Sequence, residues 1–195
     1  MKDFHENIIF PKIETEDLLL RKIELSDATR LLAIWSNKDV TKYMNIEPFE
    51  NLEQVKDMVE LLNSLFEQRE ANRWAIVLKE KNCVIGTCGY NRGLKEEDFL
   101  GEIGYELDKA YWGKGYGTEA LKAVIDYGFE QLELNRIEAM VMLENIQSTA
   151  LLKRLGFKEE GILREHGFYK GRYWDEYCYS LLKREWKNPQ SIEYK

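Results

Sequence analysis

The chain has 195 residues, of which 44% are hydrophobic, 12% aromatic and 32% charged. That is enough apolar material for one substantial core, and it argues for a folded, soluble protein. Lys and Arg number 28 against 35 Asp and Glu, a net charge of −7 that argues against broad binding to nucleic acid or to an anionic membrane.

The start, Met1-Lys2-Asp3-Phe4-His5-Glu6-Asn7, lacks an apolar signal core, and no stretch is long and uncharged enough to span a membrane. The cytoplasm is therefore the expected setting. The chain through Glu16 shows little pattern and is expected to lie over the surface. Leu18-Leu19-Leu20-Arg21-Lys22-Ile23 is a short apolar run flanked by charge, which suits a first strand. Ser26 then reads as the cap of a helix through Leu31, Leu32, Ile34 and Trp35. Asn51 with Gln54 forms a capping-box pattern that opens a stronger helix. Its stripe is Val55, Met58, Val59, Leu62, Leu65 and Phe66, at helical period.

From Arg73 the texture changes. Trp74-Ala75-Ile76-Val77-Leu78 and Val84-Ile85-Gly86-Thr87-Cys88-Gly89-Tyr90 read as two strands around the polar turn Lys79-Glu80-Lys81-Asn82. Cys83, Cys88 and Cys178 make an odd count without metal-type spacing, and the first two read as reduced residues of that apolar segment. No metal is expected. The charged loop Lys95-Glu96-Glu97-Asp98 leads to a strand from Leu100 to Leu107. After a glycine-rich loop comes a helix from about Thr118 to Gln131, with Leu121, Val124, Ile125 and Gly128 on its buried face. Arg136 to Leu143 is strand-like, and Ser148 to Leu155 is a short helix stopped by Gly156. Two strands around Gly161–His166 and Trp174–Leu182 flank the turn Tyr169-Lys170-Gly171-Arg172. The order is a strand, two helices, three strands, helix, strand, helix and two strands. It predicts one α+β domain over residues 1–195, built on a mostly antiparallel sheet flanked by helices.

In Trp112-Gly113-Lys114-Gly115-Tyr116-Gly117-Thr118, glycines alternate directly after a strand and directly before a helix. Glycine lets the backbone take positive φ and approach a bulky anion closely. The free N–H groups and the dipole of the helix start favour that anion. A pyrophosphate is the natural guest. Lys114 and Lys109 add positive charge nearby, and the Thr118 hydroxyl adds a donor. A Rossmann fingerprint would need its third glycine at Thr118, and a Walker loop would need Gly-Lys-Ser/Thr after four intervening residues. The plain alternative is a tight turn with no ligand.

With their surroundings, these residues resemble the GNAT superfamily of acetyl-CoA-dependent N-acetyltransferases. The likeness is to its branch of ribosomal-protein alanine or serine N-terminal acetyltransferases. It runs from about Ile13 to Trp186 and rests on four stretches in order. These are Glu14-Thr15-Glu16-Asp17-Leu18-Leu19-Leu20-Arg21, Gly101-Glu102-Ile103-Gly104-Tyr105, Tyr111 through Ala120, and Asn145-x-x-Ser148 ending in Leu155-Gly156-Phe157. Trp112 stands where the superfamily motif usually begins with Gln or Arg.

The resemblance implies that strands Gly101–Leu107 and Arg136–Leu143 splay apart in a V that holds acetyl-CoA. Backbone groups at Leu107 would bond the pantetheine as an added strand would. Residues Trp112, Gly113, Lys114, Gly115, Tyr116, Gly117 and Thr118 would hold the pyrophosphate. Asn145 would bond the pantetheine or fix its loop, or else serve as a turn residue. The implied acceptor is a primary amine, in this branch the N-terminal α-amine of a ribosomal protein. No nucleic-acid or membrane partner is implied, and a homodimer is compatible.

Acetyl transfer needs a neutral amine, charge stabilisation at the carbonyl and a departing thiolate. Glu102 is the candidate base, acting through water from a strand whose alternate residues face the acceptor cleft. The alternative is a solvated carboxylate. Ser148 matches the serine that the branch uses as general acid; alternatively it only caps its helix. Leu152 stands where many other members carry a tyrosine. His5 lies in the unpatterned start and takes no role. His166, beside Glu165, either lines the acceptor cleft or is structural. Gly167 occupies the position where some branch members place a carboxylate. Tyr169, Tyr173 and Trp174 shape an acceptor pocket or pack the sheet. Two further readings remain open: an acetyltransferase for a small amine (polyamine, aminoglycoside or amino acid), and an acyl-CoA sensor without turnover.

Overall fold

The computed structural model describes residues 9–95, 98–187 and the strand Glu193–Tyr194. His5 and the first half of the unpatterned start lie outside the described residues, as do Glu96 and Glu97 of the charged loop.

The elements are β1 (Ile13–Glu14), β2 (Leu18–Lys22), α1 (Ala28–Trp35), α2 (Lys38–Thr41), α3 (Leu52–Glu67), β3 (Asn72–Leu78) and β4 (Cys83–Arg92). They continue with β5 (Leu100–Leu107), α4 (Tyr116–Glu130), β6 (Arg136–Met142), α5 (Ile146–Arg154), β7 (Lys158–Tyr169), β8 (Arg172–Leu182) and β9 (Glu193–Tyr194). Among the described residues, nine strands form one sheet in the order β7-β8-β6-β5-β4-β3-β2-β1-β9. Every neighbouring pair is antiparallel except β5 with β6. The expected α+β order holds from β2 to β8. The two-residue strands β1 and β9 and the one-turn α2 carry too little periodicity to be read from sequence.

Helices cover both faces. On one, α4 and α5 pack over Leu20, Trp74, Ile85, Tyr90, Ile103 and Ile137, all at most 3% exposed. Burying side chains of this size stabilises the fold by roughly 1.5–3 kcal/mol each. Gly128 is needed here, because a Cβ at this position would lie 1.9 Å from the Tyr90 hydroxyl oxygen. That hydroxyl donates to the Val124 carbonyl at 2.9 Å, tying α4 to β4.

On the other face, α1 and α3 cover Ala75, Val77 and Val84. The α3 capping box forms as expected, with Gln54 N donating to Asn51 Oδ1 (3.1 Å) and Asn51 N to Gln54 Oε1 (3.3 Å). The Ser26 cap does not form. Ser26 sits inside a short 3-10 turn and donates to Glu24 instead. Asp27 fixes this entrance, accepting from Glu24 N at 2.9 Å and pairing with Arg21 at 2.7 Å. A carboxylate that also holds a guanidinium outcompetes a hydroxyl for this place.

The β7–β8 hairpin turns through Lys170 and Gly171 at φ 52 and 71. Two successive left-handed residues are what a two-residue hairpin requires.

The feature that positions the site is the break between β5 and β6. Their parallel ladder has three pairs, Leu100↔Arg136, Gly101↔Ile137 and Glu102↔Glu138. Beyond Glu102, β5 stays with β4 as far as Leu107, while β6 stays with β8 as far as Met142. The two strands therefore diverge toward their C-terminal ends, which is the splayed V expected from the resemblance.

Candidate active site

The wide end of the V opens at the glycine loop. Asp108 Oδ1 accepts from Ala110 N at 2.9 Å and starts a 3-10 turn over Lys109–Tyr111. Gly113 and Gly115 follow at φ +72 and +92, and a Cβ on either would meet no atom within 4 Å. Their side-chain positions face open space. Helix α4 begins at Tyr116, two residues earlier than the sequence reading, so Gly117 and Thr118 lie in its first turn. The first intrahelical bond is Glu119 N to Gly115 O at 3.0 Å. The N–H groups of Tyr116, Gly117 and Thr118 precede it, and no side chain caps Gly115. An uncapped helix start beside two open glycines is a place for an anion.

Two side chains of the loop do other work. The Trp112 indole N–H donates to the Leu107 carbonyl at 2.8 Å, and its ring packs toward α1 and α3. Trp112 thus folds back as a brace, and its side chain does not line the loop. Lys109 is held by Asp39 at 2.7 Å, whereas Lys114 sits over the Tyr111 ring at 5.4 Å, on the loop itself.

Asp108 N bonds Ile85 O of β4 at 2.8 Å. Backbone groups alternate sides along a strand, so those of Tyr105 and Leu107 turn toward the gap. The Trp112 indole already takes the Leu107 carbonyl, which leaves its N–H for a ligand. Side chains alternate between faces in the same way. Ile103, Tyr105 and Leu107 pack with the core under α4 and α5.

Across the gap, Asn145 caps α5, its Oδ1 accepting from Ser148 N at 3.2 Å. The cap is therefore Asn145 and not Ser148, whose hydroxyl is left for another partner. That partner is the Tyr105 hydroxyl at 2.7 Å. Burial pushes the Tyr105 phenol up to about 12. Leu152, at the position of the usual tyrosine, is fully buried and offers no polar group. At the far end of α5, Gly156 N bonds Lys153 O and Phe157 N bonds Leu152 O, a Schellman stop with Gly156 at φ +90. Tyr105 had no role in the sequence reading. Alternation along β5 would have placed its side chain on the sheet face that α5 covers, beside the gap.

Even-numbered residues of β5 face the opposite side. Glu106 is 6% exposed and held by Trp35 Nε1 at 3.0 Å, by the Thr87 hydroxyl and by Arg73. Glu102 stands at the closed end of the V, where Arg92 approaches at 3.2 Å and Asn91 Nδ2 donates at 3.1 Å. Arg92 also reaches Glu138 at 3.4 Å, and Arg136 pairs with Glu138 at 2.8 Å.

On β8, opposite Met142, Glu176 is 9% exposed. The Tyr169 hydroxyl and His166 Nδ1 each lie 2.7 Å from it. Burial and this carboxylate hold the Tyr169 phenol above its ordinary value. Tyr169 stacks on Trp174 at 10° between planes, and Lys170 bonds the Thr41 carbonyl at 2.7 Å, which closes the hairpin against α2. A Cβ on Gly167 would lie 2.4 Å from the Tyr169 ring. That ring fills the place where some branch members carry a carboxylate, and Glu176 supplies one beside it. Tyr173 lies on the other face of the hairpin, 62% exposed and against the Phe168 ring. Among the described residues, no group of three or more His, Cys, Asp or Glu is arranged to hold a metal ion. Among the described residues, no helix is long and apolar enough to cross a membrane.

Among curated relatives, the chain is 51% identical to the "Uncharacterized N-acetyltransferase p20" of Bacillus licheniformis over 172 residues, 88% of this chain and 96% of that one. It is 28% identical to the spermidine N(1)-acetyltransferase of Vibrio cholerae over 88% of this chain and 96% of that one. It is 24% identical to the [ribosomal protein uS5]-alanine N-acetyltransferase of Escherichia coli over 95% and 98%. Among solved structures, a GNAT-family acetyltransferase from Bacillus anthracis superposes with a TM-score of 0.78 at 29% identity, covering 89% of this chain and 99% of that one. The RimL ribosomal L7/L12 α-N-protein acetyltransferase in complex with coenzyme A shares the fold, with a TM-score of 0.78 at 22% identity over 88% and 97%. The family described as "Acetyltransferase (GNAT) domain" matches residues 17–158, and with the splayed sheet and the open helix start in place, this chain belongs to that family.

Proposed function

We propose that the chain, working as one domain in the cytoplasm, transfers the acetyl group of acetyl-CoA to the N-terminal α-amine of a protein of the ribosomal kind. The observation that carries the cofactor half is the V between β5 and β6, which opens onto an uncapped helix start. The N–H groups of Tyr116, Gly117 and Thr118 receive the pyrophosphate, with Gly113 and Gly115 admitting it and Lys114 adding charge. The Leu107 N–H bonds the pantetheine in the manner of an added strand. Asn145 holds the start of α5 against the same gap, and Trp112 supports the loop from behind.

For the reaction, the amine nitrogen attacks the thioester carbonyl, a C–N bond forms, and the C–S bond breaks with its electron pair going to sulfur. Glu102 takes the amine proton through water, Arg92 and Asn91 keeping its carboxylate in place. Ser148 assists departure of the thiolate. The acceptor half rests on amine chemistry and on the likeness to the ribosomal branch. An α-amine of pKa about 7.7–8.0 is roughly a quarter to two-fifths neutral near pH 7.5, whereas a lysine amine near 10.4 is about one part in a thousand neutral. A site whose candidate base is the solvent-linked carboxylate of Glu102 suits the former. Glu176 puts a carboxylate on the acceptor face, which favours a cationic peptide.

The similarity to a spermidine acetyltransferase over most of the chain supports a second reading, a small polyamine acceptor on the same carboxylate face. A thiol-release assay separates the two, comparing N-terminal Ser, Ala and Thr peptides with spermidine and an aminoglycoside at equal concentration. The peptide reading predicts the highest kcat/KM for a peptide. A small amine ahead by more than about tenfold would replace it.

A further inference from the structure

We propose that Tyr105 is a positioning residue for thiolate departure, its hydroxyl donating to Ser148 Oγ so that the Ser148 proton is aimed at the sulfur in the gap. This rests on the acetyl-CoA reading above. The two hydroxyls lie 2.7 Å apart, joining residues 43 apart in sequence across the open part of the V. Tyr105 comes from the strand that lines one edge of the gap, and Ser148 from the first turn of α5 at the other.

The direction of the bond follows from chemistry. A phenol is a better donor and a poorer acceptor than an alkyl hydroxyl, because its lone pairs are shared with the ring. Ser148 Oγ has one proton and two lone pairs. When Tyr105 fills a lone pair, the serine proton remains free for sulfur; were the bond reversed, Ser148 would have nothing to give. Asn145 fixes the other side by holding the Ser148 amide at 3.2 Å, which sets the place of the serine on its helix. The surroundings are apolar, with Ile103 buried and Leu107 and Leu151 packed on the same core. In such a setting each bond of a chain polarises the next.

Proton affinities decide what the pair does. A phenol at about 12 would surrender its proton to a thiolate of ordinary pKa, about 8.5, roughly once in 3,000 cases. Neither hydroxyl hands a proton to sulfur. Ser148 instead bonds the leaving thiolate through O–H···S while Tyr105 strengthens that bond. The electron pair of the C–S bond stays on sulfur, and solvent supplies the proton after release. The Tyr105–Ser148 pair is then a stabiliser of charge, comparable to an oxyanion hole turned toward the leaving group.

The test uses Y105F, S148A, the double variant and S148T, each checked for its melting temperature. Y105F is expected to lower kcat by about tenfold with less than about twofold change in KM for acetyl-CoA. In the S148A background the same substitution should change kcat by less than about twofold, since the two act as one unit. S148T, which keeps a hydroxyl, should retain most activity. A second readout needs no acceptor: the thiolate absorbance of bound CoA, titrated in the ultraviolet, should have its midpoint roughly one pH unit lower in the unsubstituted protein than in Y105F. Should Y105F not fold, Y105L, which also lacks the hydroxyl, takes its place in the same cycle and the same CoA titration, with the same expected and overturning results. Independent, multiplying effects of Y105F and S148A, or an identical midpoint with and without the Tyr105 hydroxyl, would overturn the role of Tyr105 alone. A folded protein that does not bind CoA would overturn the acetyl-CoA reading and this proposal with it.

Discussion

Gly115→Val tests whether the loop is shaped for a ligand or only for a turn. Gly115 sits at φ +92, and a Cβ there points into open space. A side chain at that φ costs about 1–3 kcal/mol of backbone strain. For a chain of this length that lowers Tm by roughly 2–12 °C. The same substitution at Gly156, φ +90, incurs the same strain at the opposite end of α5 from Ser148, where the nearest atom to a Cβ is 3.8 Å away. The two variants should therefore lose similar stability. Only Gly115→Val should lose CoA affinity, because its side chain fills the space in front of the Tyr116–Thr118 amides. Losing two charge-assisted bonds at about 1.5 kcal/mol each raises Kd roughly a hundredfold or more. Calorimetric titration with CoA on both folded variants reads this directly. An unchanged Kd in Gly115→Val, or an equal loss in Gly156→Val, would refute the reasoning.

Trp112→Phe removes the indole N–H that holds the Leu107 carbonyl, and should weaken CoA about fivefold while the ring position stays filled; the same titration checks it. Glu176→Gln keeps the shape beside Tyr169 and His166 but removes the charge, and steady-state kinetics should show KM for a cationic acceptor rising about tenfold with acetyl-CoA KM unchanged. Tyr105 also leaves a mark on alkaline stability. Its phenol loses its proton near 10 in the unfolded chain and at about 12 in the folded one, so between these values the folded state holds the extra proton. The stabilisation is complete below pH 10 and is lost as pH rises toward 12, with a slope of about 1.4 kcal/mol per pH unit. Denaturant titrations across that window should show the unsubstituted protein falling more steeply than Y105F by this amount.

The parts of the site legible in the sequence are those set by neighbours in the chain. The glycine loop stands out because strand, alternating glycines and helix follow one another within a few residues. Even there the helix began two residues early, because Tyr116 and Gly117 occupy first-turn positions where poor helix formers are tolerated. One cap was misread: Asp27 displaced Ser26 because it also pairs with Arg21. At α5 the cap is Asn145, three residues before the amide it accepts from, so the open alternative of Ser148 as the cap falls away. Contacts between distant segments left no local trace. The Tyr105–Ser148 bond, the Trp35–Glu106 bond and the filling of the Gly167 site by Tyr169 depend on how strands and helices meet. Tyr173 was grouped with Tyr169 and Trp174 by proximity in sequence, yet strand alternation sends it to the other face.

The most direct test of the central claim follows free thiol and acetylated product together, with acetyl-CoA, the peptide panel and the small amines, for the unsubstituted protein and Gly115→Val. The account predicts amine-dependent thiol release matched one to one by an acetyl group on the acceptor α-amine by mass spectrometry, and its collapse at low acetyl-CoA in Gly115→Val. A folded, CoA-binding protein that releases no thiol above the buffer rate with any of these amines would contradict it.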